Sequence, residues 1–349
     1  MKKTFHKLLN LASNGIIKPI IVAEMSGNHN QSIDRAIEIV DAAAEAGADA
    51  IKLQTYTADT MTIPGALTVD DPKSIWFGRE LHDLYKEAYT PWDWHQAIFE
   101  RAKEKNIFTF SSPFDESAVD FLESLDAPCY KISSLENNHI PLLKKVALTG
   151  KPVIMSTGVS SVSVIEEAVE ALKLNGCKDI ILLKCTSTYP ATPENTNLKT
   201  IPHLKNLFDV PVGLSDHTMG IGVPIAAVAM GACLIEKHFT LNRKDGGVDS
   251  SFSIEPHELK SLCIESERAF NALGDINYGV LEAENKSLDY KRSIYVVKDI
   301  SPGEKFSKNN LNIIRPGYGM EPKYYHKIIG KTSKISLKAG TPFKFDLFL

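Results

Sequence analysis

Short apolar runs that finish in polar or charged side chains recur through the first 240 or so residues. They alternate with stretches whose apolar positions repeat every three to four residues. The first kind predicts buried strands and the second amphipathic helices. The strand-like runs are Pro19–Met25 (PIIVAEM), Ala48–Thr55 (ADAIKLQT), Phe108–Phe114 (FTFSSPF), Cys129–Ser134 (CYKISS), Val153–Gly158 (VIMSTG), Asp179–Ser187 (DIILLKCTS), Pro211–His217 (PVGLSDH) and Cys233–Thr240 (CLIEKHFT). Helical patterns follow them, from about Ile33, over Trp92–Lys105 behind Pro91, Asp115–Leu125, the stretch LENNHIPLLKKVALTG, Val162–Leu174, Thr196–Leu207, the small-residue segment after Gly220, and Glu258–Ala272. Eight strands, each followed by a helix, predict an α/β fold of the TIM (β/α)8 barrel type over residues 1–276. An open doubly wound sheet is the alternative, but no Gly-rich dinucleotide fingerprint follows the first strand.

Two stretches break the alternation. Residues 57–91 are too long for a simple connection and read as a functional loop or lid. Their aromatics Trp76, Phe77, Tyr85 and Tyr89, with Trp92 and Trp94 beyond, form either the lid's own small core or an apolar wall for a ligand. Residues 277–289 are polar and aperiodic and read as a linker. Residues 290–349 carry short strand-like runs with the turn signals PGE, PGYG and KAGTP, so they read as a small β-rich module. A core that small is marginal, and the module is expected to pack on something.

Composition narrows the function classes. A net charge of −4 and a pI near 6.2 argue against a nucleic-acid surface. The five cysteines have no paired spacing and read as reduced thiols in a cytoplasmic protein. Met1–Gly15 opens with two lysines like a signal peptide, but His6, Lys7 and Asn10 interrupt its apolar stretch, so export is not expected. No apolar run is long enough to span a membrane.

In a barrel, the C-terminal strand ends face the ligand. Here those ends are polar: Glu24; Lys52 and Gln54; Ser111 and Ser112; Lys131, Ser134 and Glu136; Ser156 and Thr157; Ser187; Ser215 and His217; Glu236 and His238. Lys52 and Lys131, ringed by hydroxyls such as Ser112, suit a phosphate plus a carboxylate, because a buried lysine is costly unless paired or facing an anion. His217 and His238 on successive strands could share a divalent ion. The bland alternatives are satisfied core histidines and a polar barrel interior of Lys–Glu pairs. A Schiff-base aldolase using either lysine is a further enzymatic alternative.

The segments AEMSGNHNQS, KLQTYTADTM, FTFSSPFD, YKISSLENN, STGVSS, CTSTYPATPE, GLSDHT, EKHFT and IIRPGYG run nearly end to end. Together they resemble the sialic acid synthase (nonulosonic acid synthase) family, whose members use phosphoenolpyruvate to build nine-carbon sugars. The stretch IWFGRELHDLYKEAYTPWDWH is most similar to the pseudaminic acid branch, which condenses phosphoenolpyruvate with 2,4-diacetamido-2,4,6-trideoxy-L-altrose and releases phosphate. The resemblance implies a divalent metal ion (Mn2+, Mg2+ or Co2+) on His217 and His238. It implies that Lys52, Lys131, Ser134, Ser156 and Ser215 hold phosphoenolpyruvate. Glu24, Gln54, Tyr189 and Asp249 would be sugar- or metal-side groups, with Glu24 or Glu136 handling a proton. Arg315 would reach the sugar from a C-terminal antifreeze-like (SAF) module, in a domain-swapped homodimer. Ser187 stands where the N-acetylneuraminate synthases carry Asn, which points away from N-acetylmannosamine as the amino sugar. N-acetylneuraminate or legionaminate synthesis from a related hexosamine is the alternative within the family, and a carbohydrate-binding protein is the alternative outside it.

Overall fold

β-Branched and aliphatic residues fill all eight runs, and each run becomes a parallel strand. In the computed structural model, which describes residues 4–347, these are β1 (Ile20–Glu24), β2 (Ala50–Thr55), β3 (Phe108–Pro113), β4 (Tyr130–Ile132), β5 (Val153–Ser156), β6 (Ile180–Cys185), β7 (Val212–Asp216) and β8 (Leu234–His238). Each pairs with the next, and β8 pairs back onto β1 with His238 opposite Glu24, closing the barrel. The chain therefore has the expected TIM-barrel architecture. Met1–Lys3, including the two lysines that open the signal-like stretch, lie outside the described residues, as do Phe348 and Leu349 at the end of the last apolar run.

Strand alternation sorts the side chains into two sets. Ile21, Ala23, Ile51 and Leu53 point outward and pack with the helices, including the helix Ile33–Ala46. Ile20, Val22, Ala50, Phe110, Ile154 and Leu234 point inward and fill the lower barrel. The same inward parity carried to the strand ends gives Glu24, Lys52, Gln54, Ser112, Lys131, Ser156, Ser215, Glu236 and His238. The polar layer thus sits on top of the apolar one. Packing there is close: a Cβ on Gly213 would come within 2.3 Å of the Leu234 carbonyl oxygen, so β7 admits no side chain at that point.

The bottom of the barrel is closed by α1 (Phe5–Ser13), whose N-cap Thr4 accepts from the Lys7 amide. Phe5, Leu9 and Ala12 recur at helical spacing and insert among the lower inward residues. Burying Phe5 and Leu9 contributes roughly 1.5–3 kcal/mol each, enough to hold a nine-residue helix that would not persist alone.

The long connection after β2 folds into a short helix (Ala58–Met61), an extended turn, and the helix Leu81–Ala88, before the helix His95–Glu104 restores the alternation. Leu84 and Ala88 pack with Val248. Trp76 donates from Nε1 to the Val248 carbonyl oxygen at 2.9 Å.

The chain divides into two compact units, Met1–Gly274 and Asp275–Leu349. In the second, β9 (Ser293–Val296) and β10 (Leu311–Ile314) pair antiparallel, around a core of Ile294, Val296, Phe306, Leu311, Ile328 and Phe343. Glu282–Tyr290, which overlaps the stretch expected as a linker and runs one residue past it, forms 3-10 turns.

Candidate active site

Four charged side chains share the upper barrel interior. Lys52 Nζ lies 2.6 Å from Glu24 Oε2 and 3.9 Å from Glu236 Oε2. Lys131 Nζ lies 3.3 Å from Glu236 Oε1. All four residues are at most 5% exposed. Hydroxyls complete the ring: Lys52 donates to Ser112 Oγ at 3.3 Å and Ser215 donates to Glu236 at 3.1 Å. Ser156 Oγ is buried and has no protein partner, and so is open to a ligand oxygen. Gln54 donates to Glu24 Oε1 at 2.9 Å.

Burial dominates the electrostatics and neighbours decide its outcome. Glu24 is pushed up to about 7 by burial, with Glu236 adding to the rise and Lys52 opposing it. Burial also works against ionised Glu236, but Lys131 and Lys52 outweigh it and hold the carboxyl below its ordinary range. Lys52 is held above its ordinary value because Glu236 and Glu24 together exceed the burial penalty. Lys131 is lowered by burial, which Glu236 offsets in part. Near neutral pH the cluster therefore keeps one firm carboxylate and one carboxyl poised to exchange a proton.

Beside this cluster stand the two histidines. Their ring centroids are 5.3 Å apart. His217 Nδ1 pairs with the Thr186 carbonyl oxygen at 2.9 Å, so that nitrogen donates; burial works against the charged ring, but its bond to the Cys185 side chain outweighs that and holds His217 above its ordinary value. His238 Nδ1 is buried without a hydrogen-bond partner, 3.7 Å from Asp249 Oδ2. Asp249 is held by the Ser26 hydroxyl, from a residue at φ 46° in the left-handed region. Two imidazoles, one with its Nδ1 unpartnered, and an adjacent carboxylate are a donor set that suits a divalent cation. Among the described residues, the one group of three or more His, Cys, Asp or Glu whose ligand atoms all lie within 4.8 Å of one another is Glu255, His257 and Glu258; His217, His238 and Asp249 stand farther apart. The Glu255, His257 and Glu258 group is occupied otherwise: Glu258 Oε2 takes the Arg243 guanidinium and the Glu255 amide.

The remaining expected residues fall into four places. Ser134 accepts from the Gly158 amide at 3.1 Å, and a Cβ on Gly158 would strike Ser187 Oγ at 2.3 Å and Ser134 Oγ at 2.7 Å, so this corner stays open because residue 158 is glycine. Glu136, raised by burial, is held by the Ser133 hydroxyl. Tyr189 packs 4.4 Å from the His217 ring and 5.5 Å from Trp76. Arg315 lies exposed after β10, in the second unit.

The aromatic expectation divides. Trp76 and Tyr85, with Met61, Leu81 and Tyr56, line the same cavity as Gln54, Glu136, His238 and Asp249. Trp92 and Trp94 do not: Trp92 donates to the Tyr56 carbonyl oxygen and stacks on Phe121, and Trp94 packs edge-on with His29. Ser111 turns outward to Thr55, which also bonds His95. Glu236, read from the sequence as one polar strand end among many, sits between both lysines. Its inward parity with His238 was the available signal.

A model of the NeuB family matches residues 39–278, and a model of the SAF domain matches 291–349. The chain is 42% identical to the pseudaminic acid synthase of Campylobacter jejuni, over 94% of this chain and 96% of that protein. It is 41% identical to that of Helicobacter pylori, over 94% and 97%. An N-acetylneuraminic acid synthetase from Leptospira borgpetersenii, solved with citrate, superposes with a TM-score of 0.70 at 35% identity, covering 78% of this chain and 91% of that one. An eight-stranded barrel with this polar mouth, matched along its length by synthases and followed by a SAF domain, places the chain in the NeuB family.

Proposed function

We infer that this chain is a pseudaminic acid synthase, joining phosphoenolpyruvate to 2,4-diacetamido-2,4,6-trideoxy-L-altrose and releasing phosphate. The observation that carries the reading is the convergence of two buried lysines and two imidazoles in one barrel mouth, beside an apolar wall from residues 61–85. Lys52, Lys131 and the hydroxyls of Ser112, Ser134, Ser156 and Ser215 would hold the phosphate and carboxylate. The sugar would lie against Gln54, Ser187, Tyr189 and Asp249, with its 6-methyl and acetamido methyls toward Met61, Trp76 and Leu81. His217 and His238 would hold a divalent ion, Mn2+, Mg2+ or Co2+, which supplies a Lewis acid for the aldehyde oxygen.

C3 of phosphoenolpyruvate attacks the aldehyde carbon of the open-chain sugar. Water then adds at C2, and the tetrahedral intermediate loses phosphate by C–O cleavage. The lysines and hydroxyls fix the anion, so positioning and electrostatics carry most of the acceleration. Glu24 exchanges the proton of the water, because its pKa of about 7 suits that task better than an ordinary carboxylate. Glu136 is the second candidate and faces the same cavity.

The five cysteines are buried and free, which suits a reducing compartment, and the reading is cytoplasmic. No helix among the described residues is long and apolar enough to cross a membrane. The working unit proposed is a homodimer in which each SAF module covers the partner's barrel and presents Arg315 to its sugar.

Phosphate release with phosphoenolpyruvate and a panel of amino sugars tests the reading. The diacetamido-trideoxy-altrose should give the highest kcat/KM. A higher value with N-acetylmannosamine, or with the diacetamido sugar that leads to legionaminate, would reassign the substrate. No phosphate release with any sugar, on metal-loaded protein, would favour a binding protein.

A further inference from the structure

Asp216 and Lys237 lie directly opposite each other across β7 and β8, and each immediately precedes one of the histidines. Strand alternation turns His217 and His238 into the barrel and sends Asp216 and Lys237 to its outer side. There the two side chains form an ion pair, Nζ to Oδ2 2.6 Å, with each side chain 1% exposed. Thr218 closes it from the chain beyond β7. Its amide donates to Asp216 Oδ1 at 3.1 Å, its hydroxyl donates to Oδ2 at 2.9 Å, and its carbonyl oxygen accepts from Lys237 Nζ. One residue back, the His217 carbonyl oxygen accepts from the Ala191 amide at 3.0 Å, which ties in the segment bearing Tyr189.

A fully buried ion pair contributes little net stability compared with apolar residues of the same volume, because desolvating both charges offsets their attraction. What it does impose is geometry. Lys237 Nζ is held by two acceptors on or beyond β7, and both Asp216 oxygens are engaged, so neither strand end can slide or twist without breaking several charge-assisted bonds. Inside the barrel, the rings on the next residues sit 5.3 Å apart. Two imidazoles share one ion only when their separation and orientation are held.

We propose that the Asp216–Lys237 pair, closed by Thr218, is a positioning device that sets the spacing of His217 and His238 from outside the barrel, so that the two imidazoles can share one divalent cation. It acts through the histidines and touches no substrate. The proposal rests on the assignment of the histidines as cation ligands.

The test is Mn2+ affinity of the full chain, measured by equilibrium dialysis after metal removal, alongside the thermal midpoint. The variants are Asp216→Asn/Lys237→Met together, Thr218→Val, and His217→Ala. Wild type should bind Mn2+ and His217→Ala should lose it. The double variant should keep its fold yet bind Mn2+ about 10-fold or more weakly, the range typical of lost outer partners. Thr218→Val should weaken it by a smaller factor, about 3-fold, and phosphoenolpyruvate affinity of the metal-free double variant should stay within about twofold of wild type. A folded double variant with wild-type Mn2+ affinity overturns the proposal. If the double variant does not fold, unchanged affinity in Thr218→Val overturns it. Wild type that binds no Mn2+, or binds it equally well after His217→Ala, overturns the assignment of the histidines instead.

Discussion

Glu24 shares one buried volume with Lys52, Lys131 and Glu236, and its raised pKa makes it the carboxyl there that titrates near neutrality. The pH profile of kcat/KM should therefore show an inflection near pH 7. Glu24→Gln should remove that inflection and lower turnover roughly 100- to 10,000-fold, while Glu136→Gln should keep the inflection. An inflection that survives Glu24→Gln would assign the proton to another group. Two further buried groups bear on stability. His29 and His95 are both pushed down to about 4, chiefly by burial, and His29 also by its neighbour His95. A group whose native pKa is depressed gives stability that is complete above its unfolded value, near 6.5, and is lost as pH falls toward 4. Each is worth about 3 kcal/mol over that window. Glu24 has the opposite sign: its raised pKa gives stability present below about 4.5 and lost as pH rises through 7. Two histidines outweigh one glutamate, so the melting temperature should fall between pH 6.5 and pH 4. A His29→Gln/His95→Gln variant should lose that fall altogether. A wild-type midpoint that does not move across this range would mean that the two rings are hydrated enough to titrate normally.

At the scale of elements, the strands were the most legible part of the chain. A short apolar run ending in polar residues has one stable place in a barrel, and period-two alternation then puts Lys52 with Gln54 and Glu236 with His238 on the inner face without further information. Helix Val162–Leu174 agrees with its expectation at both ends because Ser161 caps it and its apolar stripe is regular. What the pattern could not convey was tertiary. Helix α1 carries Phe5, Leu8, Leu9 and Ala12 at helical spacing, but nine residues are too few to stand out until the barrel floor beneath them exists. The lid's aromatics could not be sorted into lining and structural ones, because that depends on which backbone carbonyl each ring nitrogen reaches: Val248 for Trp76, Tyr56 for Trp92. Met61 and Leu81 were masked by the aromatics around them, yet they share the cavity wall. If that wall receives the sugar's 6-methyl, Met61→Gln and Leu81→Asn should lower the preference for the 6-deoxy sugar over its 6-hydroxy counterpart. One methyl in an apolar site is worth about 1–3 kcal/mol, so a shift of about 10-fold in the ratio of kcat/KM values is expected. An unchanged ratio would move the methyl elsewhere in the site.

At the scale of the molecule, charge is unevenly shared. Residues 291–349 carry twelve Lys and Arg against four Asp and Glu, although the whole chain is at −4. A cationic module and an anionic remainder attract at low ionic strength. Exposed apolar side chains at Leu135, Val159 and Met219, on connections that follow β4, β5 and β7, offer a rim that a covering surface would bury. Both observations favour the proposed dimer, in which Arg315 serves the partner's site, and a planar guanidinium suits an acetamido carbonyl or hydroxyl. Subunit mixing decides it. Chains with Arg315→Ala and chains with His217→Ala should each be nearly inactive as homodimers. In a swapped heterodimer, the chain with intact His217 receives its cover from the chain with intact Arg315, so one of the two sites is complete. At random exchange of equal amounts, about half of the dimers are mixed and each has one working site, so activity should return to about a quarter of wild type. With modules that cover their own barrels, every site in the mixture stays damaged and no activity returns. Mixed dimers confirmed by mass, without recovered activity, would exclude the swap, and loss of recovery at high salt would show that the charge asymmetry holds the cover in place.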